Sequence, residues 1–137
     1  MRISELMTPD VEVVTPDDSL HTAARIMADL DTGAVPVGED HRLVGVITDR
    51  DITVRAVAEG LDPDQTPVRD IMSRKVHYCF DDESSADVAR NMGNWQVRRL
   101  PVLNREKQLV GIISLGDLAI AGAARESGRA LEKISRG

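Results

Sequence analysis

Hydrophobic and polar positions along the chain predict short strands and amphipathic helices in a fixed order. Residues 11–15, Val-Glu-Val-Val-Thr, are rich in β-branched side chains and predict a strand. Residues 16–19, Pro-Asp-Asp-Ser, are typical of a turn followed by a helix start. Apolar residues then recur at helical spacing and predict one buried helix face, formed by Leu20, Ala23, Ala24, Met27 and Leu30.

Two further strands and a second helix follow. Gly33 is placed to end the first helix in a left-handed conformation. Residues 34–37 predict a short strand, whose proline favours an edge or irregular position. Residues 42–47 predict a strand that is too apolar to have a solvated face, and a helix is expected over 48–60.

The same pattern occurs twice along the chain. Four blocks of the first half recur in the second half, at an offset of 65 residues for the first three and 66 for the last. The pairs are Glu5–Thr8 with Asp70–Ser73, Ala24–Met27 with Ala89–Met92, Val35–Val37 with Leu100–Val102, and Leu43–Thr48 with Leu109–Ser114. A register that holds through separate blocks indicates a tandem repeat.

The repeat predicts an α/β fold made of two pseudo-symmetric β-α-β-β-α units. We place the units at residues 1–62 and 63–125, with a connector around 61–67 and a C-terminal tail over 126–137. A unit of about sixty residues is marginal by itself, so the two are expected to pack through their sheets into one module. The tail is polar, which predicts a loose or partner-docked extension.

Composition narrows the possible functions. Seventeen Lys and Arg against 23 Asp and Glu give a net charge of −6, which disfavours binding to nucleic acid polymers or to anionic membranes. Cys79 is the single cysteine, which excludes an intrachain disulfide and a cysteine-cluster metal site. The chain shows no signal peptide or membrane-spanning run, so a cytoplasmic location is predicted.

Both repeats contain a glycine, two aliphatic residues, a hydroxyl residue, two variable positions and an aspartate, at 45–51 and 111–117. Thr or Ser followed three residues later by an acid is typical of a helix capping box. The same geometry also suits a ligand. A strand that runs into a helix directs N–H groups and a hydroxyl toward a phosphate, and an acid one turn later can hold a ribose. Both interpretations stay open at this point.

The doubled pattern resembles a pair of CBS motifs, a tandem often called a Bateman module. The resemblance covers residues 3–125, because Val35-Pro36-Val37 and Leu100-Pro101-Val102 each precede a Gly-aliphatic-aliphatic-Thr/Ser-x-x-Asp block. Residues 31–36, 48–52 and 96–102 are similar to the small stand-alone bacterial members, including the hypoxic-response type.

The resemblance implies a non-enzymatic sensor that binds AMP, ADP, ATP or S-adenosylmethionine in clefts between the two units and signals to an unidentified regulated protein. No cofactor or metal is implied. Carried over by motif, Thr48 and Ser114 would meet phosphate, Asp51 and Asp117 would hold ribose, and other positions would border the ligand. These others are Thr15, Ala34, Val35, Arg50, Phe80, Arg98, Arg99 and Leu100.

Two departures distinguish the halves. Phe80 replaces Thr15, and Gly116 replaces Arg50, so the second cleft loses a phosphate partner and the first is the better candidate. The alternative function is a ligand-independent homodimer, favoured by the apolar helix over 118–124. An enzyme is the weakest hypothesis, because no nucleophile with a paired base is recognisable.

Overall fold

Strands and helices alternate along the chain, and a computed structural model describes residues 1–120 and 124–136. The strands are β1 (Thr8–Pro9), β2 (Ala34–Glu39), β3 (Arg42–Thr48), β4 (Cys79–Phe80), β5 (Arg99–Leu103) and β6 (Leu109–Ser114). The helices are α1 (Leu20–Leu30), α2 (Asp49–Ile52), α3 (Ser85–Trp95), α4 (Leu115–Ile120) and α5 (Ala124–Arg136). Thr53–Val57 prolongs α2 as a π-helical turn, and Ile3–Glu5 and Val68–Asp70 form 3-10 turns. The predicted mixed α/β fold is confirmed.

The chain forms two compact units, and their boundaries differ from those of the two repeats. One unit is Glu12–Val76, and the other combines Met1–Val11 with His77–Gly137. Main-chain hydrogen bonds explain this division. The amide of Ile3 donates to the carbonyl of Glu83 at 3.0 Å, and the amide of Leu20 donates to that of Thr66 at 3.1 Å. The opening segment of each repeat therefore belongs to the unit built from the rest of the other repeat.

The unit Glu12–Val76 is built on a hairpin. Strands β2 and β3 pair antiparallel, with Pro36 opposite Val46. Val46 exchanges two 2.9 Å hydrogen bonds with Ser73, so its polar groups point away from Pro36. Pro36 can therefore occupy the strand although it has no N–H to donate. The buried face of α1 (Leu20, Ala23 and Met27) closes the aliphatic core.

The second unit repeats this plan with two more strands. Its sheet has the order β1-β6-β5-β4, in which β4 and β5 are parallel and the other pairs antiparallel. Thr8 pairs with Ile112, as Ser73 pairs with Val46 in the other unit. Helix α3 covers the core with Val88, Ala89 and Met92. Both hairpins carry a register shift at equivalent places, after Val37 and after Val102.

The predicted first strand of each repeat is much shorter than expected. Of residues 11–15, Val14 makes an isolated parallel bridge to Val37, and of residues 76–80 only Cys79–Phe80 is a strand. The amide of Val14 donates to the carbonyl of Pro36, and its own carbonyl accepts from Gly38. The β-branched composition predicts an extended backbone. It does not predict how many of these residues pair with the neighbouring strand.

Two predictions about α1 are corrected by the structure. Helix α1 ends at Asp31, which adopts the left-handed conformation with φ of 51°, and Gln96 does the same at the end of α3 with φ of 57°. Gly33 does not take that role. The predicted buried face of α1 is narrower, because Ala24 is exposed and Leu30 is 50% exposed.

The predicted C-terminal tail is a helix. Residues 124–136 form α5, which belongs to the same unit as α3 and has Ser127 and Ala130 buried. The apolar helix predicted over 118–124 is seen as far as Ile120, and residues 121–123 lie outside the described residues. Over the described parts of the chain, no helix combines the length and the apolar character that a membrane crossing requires.

Candidate functional site

Each unit contains a junction at which a strand runs directly into a helix. Strand β3 ends at Thr48 and α2 begins at Asp49, and β6 ends at Ser114 where α4 begins at Leu115. The amide of Asp49 donates to the carbonyl of Gly33, and the amide of Leu115 donates to that of Arg98, both at 2.9 Å. These bonds hold the start of each helix against the first residues of the hairpin.

The helix-cap interpretation is confirmed in both repeats. Asp51 donates its amide to Thr48 Oγ1, and Asp51 Oδ2 accepts the amide of Thr48, each at 3.0 Å. Ser114 and Asp117 make the same reciprocal pair at 3.1 and 3.2 Å. Two amides that the short helix cannot satisfy internally are thereby paired.

The caps leave part of each polar group available. Among the described residues, no hydrogen bond reaches Asp51 Oδ1 or Asp117 Oδ1, and the Thr48 and Ser114 hydroxyls accept without donating. All four side chains are half-buried. A hydroxyl donor and a carboxylate acceptor therefore remain at the same edge of each unit, where they can contact a phosphate and a sugar hydroxyl.

The two junctions differ in where their positive charge lies. Arg50 follows Thr48 on the helix side, is exposed, and has no ion-pair partner among the described residues. At the second junction the helix position is Gly116, but Arg99 lies directly opposite Ser114 in the strand pair and Arg98 precedes it. The second repeat thus places two guanidinium groups on the strand side, where the first repeat has Gly33 and Ala34.

Two of the predicted site residues are core residues, and a third borders the first junction through its backbone. Val35 and Leu100 are each 1% exposed, and their side chains belong to the cores of their units. Ala34 lies directly opposite Thr48, so its backbone borders the first junction. Neither Val35 nor Leu100 therefore presents side-chain or backbone surface to a ligand in this structure.

Thr15 and Phe80 are not brought to the junctions of their own units. The parallel bridge pairs Val14 with Val37, so Thr15 follows the direction of β2 away from Ala34. Phe80 pairs with Leu103, at the opposite end of β5 from Arg99. The two residues are equivalent in the repeat and occupy equivalent places, but each lies at the far end of its hairpin.

Phe80 is covered by a group that the sequence pattern does not reveal. The Arg105 guanidinium carbon lies 4.1 Å from the centre of the Phe80 ring, and Arg105 also donates two hydrogen bonds to Asp82 at 2.7 and 2.8 Å. These hydrogen bonds, with the charge of Arg105, hold the pKa of Asp82 below its usual value. Arg105 lies in the turn between β5 and β6, outside every motif, so no sequence signal points to it.

A second missed residue is Asp49. A Cβ on Gly33 would lie 3.0 Å from Asp49 Oδ2, so a larger residue at position 33 would displace this carboxylate. Gly33 thus leaves room for the Asp49 side chain beside the junction. The close spacing of Gly33 and Asp49 depends on the pairing of β2 with β3, which local sequence does not encode.

The remaining candidates for catalysis or metal binding, one cysteine and two histidines, make structural contacts. Cys79 is buried, and burial together with the charges of Glu83 and Asp81 raises the pKa of its thiol to about 12. His21 lies 2.7 Å from Asp64 at the surface, and the ring of His77 stacks on Trp95. Within residues 1–120 and 124–136, no three His, Cys, Asp or Glu side chains are grouped to hold a metal ion.

Comparison with known proteins identifies the repeat. The family model described as CBS domain matches residues 3–57 and 68–123. CBS domain-containing protein YhcV of Bacillus subtilis is 40% identical over 134 residues, which cover 97% of this chain and 94% of that protein. Hypoxic response protein 1 of Mycobacterium tuberculosis is 36% identical over 116 residues, which cover 84% of this chain and 80% of that protein. The predicted resemblance is confirmed.

Solved structures agree with the sequence comparison. Hypoxic Response Protein I, crystallised with two coordinated zinc ions, has a TM-score of 0.79 at 34% identity, covering 88% of this chain and 98% of that one. CBSX2, solved in complex with AMP, has a TM-score of 0.76 at 26% identity, covering 90% and 96% of the two chains.

Proposed function

Since this chain belongs to the CBS domain family and is a CBS-pair regulatory module, we propose that it binds an adenine nucleotide and passes the signal to a protein partner. The role is regulatory and not catalytic, and its setting is the cytoplasm. AMP is the first ligand to test, because the similar protein CBSX2 is solved with it. ADP, ATP and S-adenosylmethionine share the adenosine portion and are the next candidates.

The observation that carries this proposal is the unused half of each capping box. Asp51 and Asp117 satisfy the backbone with Oδ2, while Oδ1 has no hydrogen bond among the described residues. In each case the hydroxyl that would meet phosphate lies three residues before the acid that would hold ribose. Helix-start amides and the partial positive charge of the helix end favour an anion at that hydroxyl.

The distribution of arginines favours a role for both junctions. Arg50 is the cation beside Thr48, and Arg98 and Arg99 are the cations beside Ser114. A guanidinium presents a fork of N–H donors that matches two phosphate oxygens. We therefore expect the second junction to contribute to phosphate binding in spite of Gly116, against the preference for the first that the local motifs suggest.

Asparagine substitution separates the cap from the ligand contact. The amide oxygen of Asp51→Asn can still accept the Thr48 N–H, but the amide nitrogen cannot accept a ribose hydroxyl and the charge is lost. We expect isothermal titration calorimetry to show AMP affinity at least about tenfold weaker in Asp51→Asn. The melting temperature without ligand should change little.

Asp117→Asn applies the same test to the second junction. Asp29→Asn is the matched control, because Asp29 is exposed on α1 and its substitution removes one negative charge from the first repeat. The site assignment fails if both junction variants bind AMP as tightly as the parent. It also fails if the control variant loses as much affinity as they do.

A second candidate function, the ligand-independent homodimer, is favoured by exposed apolar side chains after α2. Val54, Val57 and Leu61 are 46%, 65% and 42% exposed. Val54 and Val57 lie in the π-helical turn that prolongs α2, and Leu61 follows it by four residues. Ile120, which corresponds to Val54 in the repeat, is 90% exposed. Exposed groups of this kind are typical of surfaces that another protein covers.

Light scattering tests this homodimer. We expect the parent chain to have the mass of a dimer, and Val57→Asp to have the mass of a monomer because the charge would be buried without a partner. Val11→Asp introduces the same charge at a half-buried position outside the segment and should leave the mass unchanged. A dimer whose mass and stability do not change with any adenine compound would support the ligand-independent homodimer as the function and not the nucleotide sensor.

A further inference from the structure

Helices α3 and α5 approach each other closely and leave a cleft beside their crossing. A Cβ on Gly93 would lie 2.7 Å from the Cα of Ala130, so the absence of a side chain at Gly93 permits the close approach. The cleft has a volume of about 410 Å³. It is lined by Arg90, Gly93, Glu126, Arg129, Ala130 and Lys133.

The lining of this cleft carries a net positive charge. Three of its side chains are cations, supplied by both helices, and Glu126 is the one carboxylate. Arg129 is exposed and has no hydrogen-bond or ion-pair partner among the described residues. Lys133 donates to the neutral amide of Asn94 at 2.8 Å, so its charge is not neutralised by that contact. Arg90 forms an ion pair with Asp87, 2.6 Å from one of its nitrogens, and keeps its other N–H donors.

The cleft is independent of the duplicated motifs. The first repeat has Ala28 where the second has Gly93, and α5 follows the second repeat alone. The cations of the cleft lie on a chain whose net charge is −6, so the local charge is opposite to that of the whole molecule. A positive cleft on an acidic protein concentrates anions at one place.

We propose that the cleft between α3 and α5 binds a small organic phosphate that carries at least two negative charges. Two guanidinium groups and one ammonium group supply donors for the phosphate oxygens. Glu126 supplies an acceptor for a hydroxyl on the body of the ligand. The volume of the cleft falls at the small-molecule end of ligand sites, which span roughly 300–1,000 Å³. This site is additional to the proposed adenine-nucleotide site.

The test uses inorganic pyrophosphate as the probe and the full chain. In ¹⁵N-resolved NMR titrations we expect saturable shifts at the amides of α3 and α5, including Gly93 and Ala130. Arg129→Gln and Arg90→Gln should each weaken this binding about tenfold or more, because each removes a charge-assisted hydrogen bond. Arg125→Gln is the matched control, since it removes the same charge from α5 outside the cleft. It should change the affinity less than about twofold.

Several results would overturn the proposal. An equal loss in Arg125→Gln and Arg129→Gln would show general attraction to a basic helix and no site. Pyrophosphate shifts that map only to Thr48 or Ser114 would also overturn it. Binding of a poly-glutamate peptide without binding of pyrophosphate would assign the cleft to an acidic protein partner instead. Asp51→Asn should leave pyrophosphate shifts in α3 and α5 intact, so this inference and the nucleotide proposal can fail separately.

Discussion

Cys79 is the residue whose chemistry is changed most by its surroundings. It corresponds to Val14 in the first repeat, and both occupy buried core positions, with Cys79 2% exposed. Burial raises the pKa of its thiol to about 12, and the nearby charges of Glu83 and Asp81 add to the rise. The thiolate is the nucleophilic form, so native Cys79 acts as a small apolar side chain and not as a reactive group.

This raised pKa predicts a loss of stability at alkaline pH. The unfolded thiol releases its proton near pH 9, whereas the folded thiol keeps it until about pH 12. The contribution to stability is therefore complete below pH 9 and declines as pH rises toward 12. The free energy of unfolding should fall by roughly 1 kcal/mol per pH unit in this range, relative to Cys79→Val. Urea denaturation of both proteins at pH 8.5, 9.5 and 10.5 measures the difference, and parallel curves would contradict the assignment.

The sequence predicts the contacts of single residues well where the partners are close in the chain. It predicts them poorly where the contact depends on how strands pair. The hydroxyl and acid of each capping box lie within three residues of each other, so their spacing was sufficient to predict the contact. The sequence predicts that Gly33 takes the left-handed conformation at the end of α1. Asp31 takes it instead, because α1 already ends at Leu30. The position of Thr15 depends on the parallel register with β2, which no local pattern specifies.

The hairpins show at the scale of elements why glycine precedes each pair of aliphatic residues. A Cβ on Gly45 would lie 2.7 Å from the carbonyl oxygen of Ser73. A Cβ on Gly111 would lie 2.5 Å from Met7 Sδ and 3.0 Å from the carbonyl oxygen of Thr8. Each glycine leaves space for the opening segment of the other repeat. The glycine of the motif thus serves strand packing, whereas the hydroxyl and acid that follow it form the junction.

Alanine at Gly45 or Gly111 should destabilise the protein. The new methyl group must displace a strand or a Met side chain, and we expect a loss of roughly 1–3 kcal/mol in the free energy of unfolding. Gly128→Ala is the opposite control, because nothing lies within 4 Å of a Cβ at this helical position. It should stabilise α5 by about 0.5–1 kcal/mol. Chemical denaturation of the three variants measures these changes, and a neutral Gly45→Ala would contradict the packing argument.

At the scale of the whole molecule, the two repeats exchange their opening segments. Ile3 and Val68 are equivalent in the repeat, and both are fully buried. Ile3 lies in the core that contains Val88 and Leu118, whereas Val68 lies in the core that contains Leu20 and Ile47. Each segment therefore completes the core of the repeat to which it does not belong.

This exchange predicts where the effects of core mutations will appear. Ile3→Ala should cost about 2–4 kcal/mol and should speed amide hydrogen exchange in β5 and β6 more than in β2 and β3. Val68→Ala removes fewer atoms, so it should cost less, and its effect should be larger in β2 and β3. Hydrogen exchange with mass spectrometry resolves the two hairpins. The swapped arrangement of the segments would be contradicted if Ile3→Ala speeded hydrogen exchange more in β2 and β3, the hairpin of its own repeat.

The sequence alone determined the duplication, the mixed α/β class, the helix caps and the residues of both junctions. Each of these rests on spacing within a few residues or on a repeat that spans the chain, and both are visible without coordinates. The tertiary structure alone decided the partners: Ser73 beside Gly45, Arg99 opposite Ser114, and α5 against Gly93. Strand register and helix crossings bring together residues that are distant in the chain, and they depend on packing that involves the whole unit. For the same reason, the cationic cleft does not follow from the sequence, because it exists only when the polar C-terminal segment packs as a helix against α3.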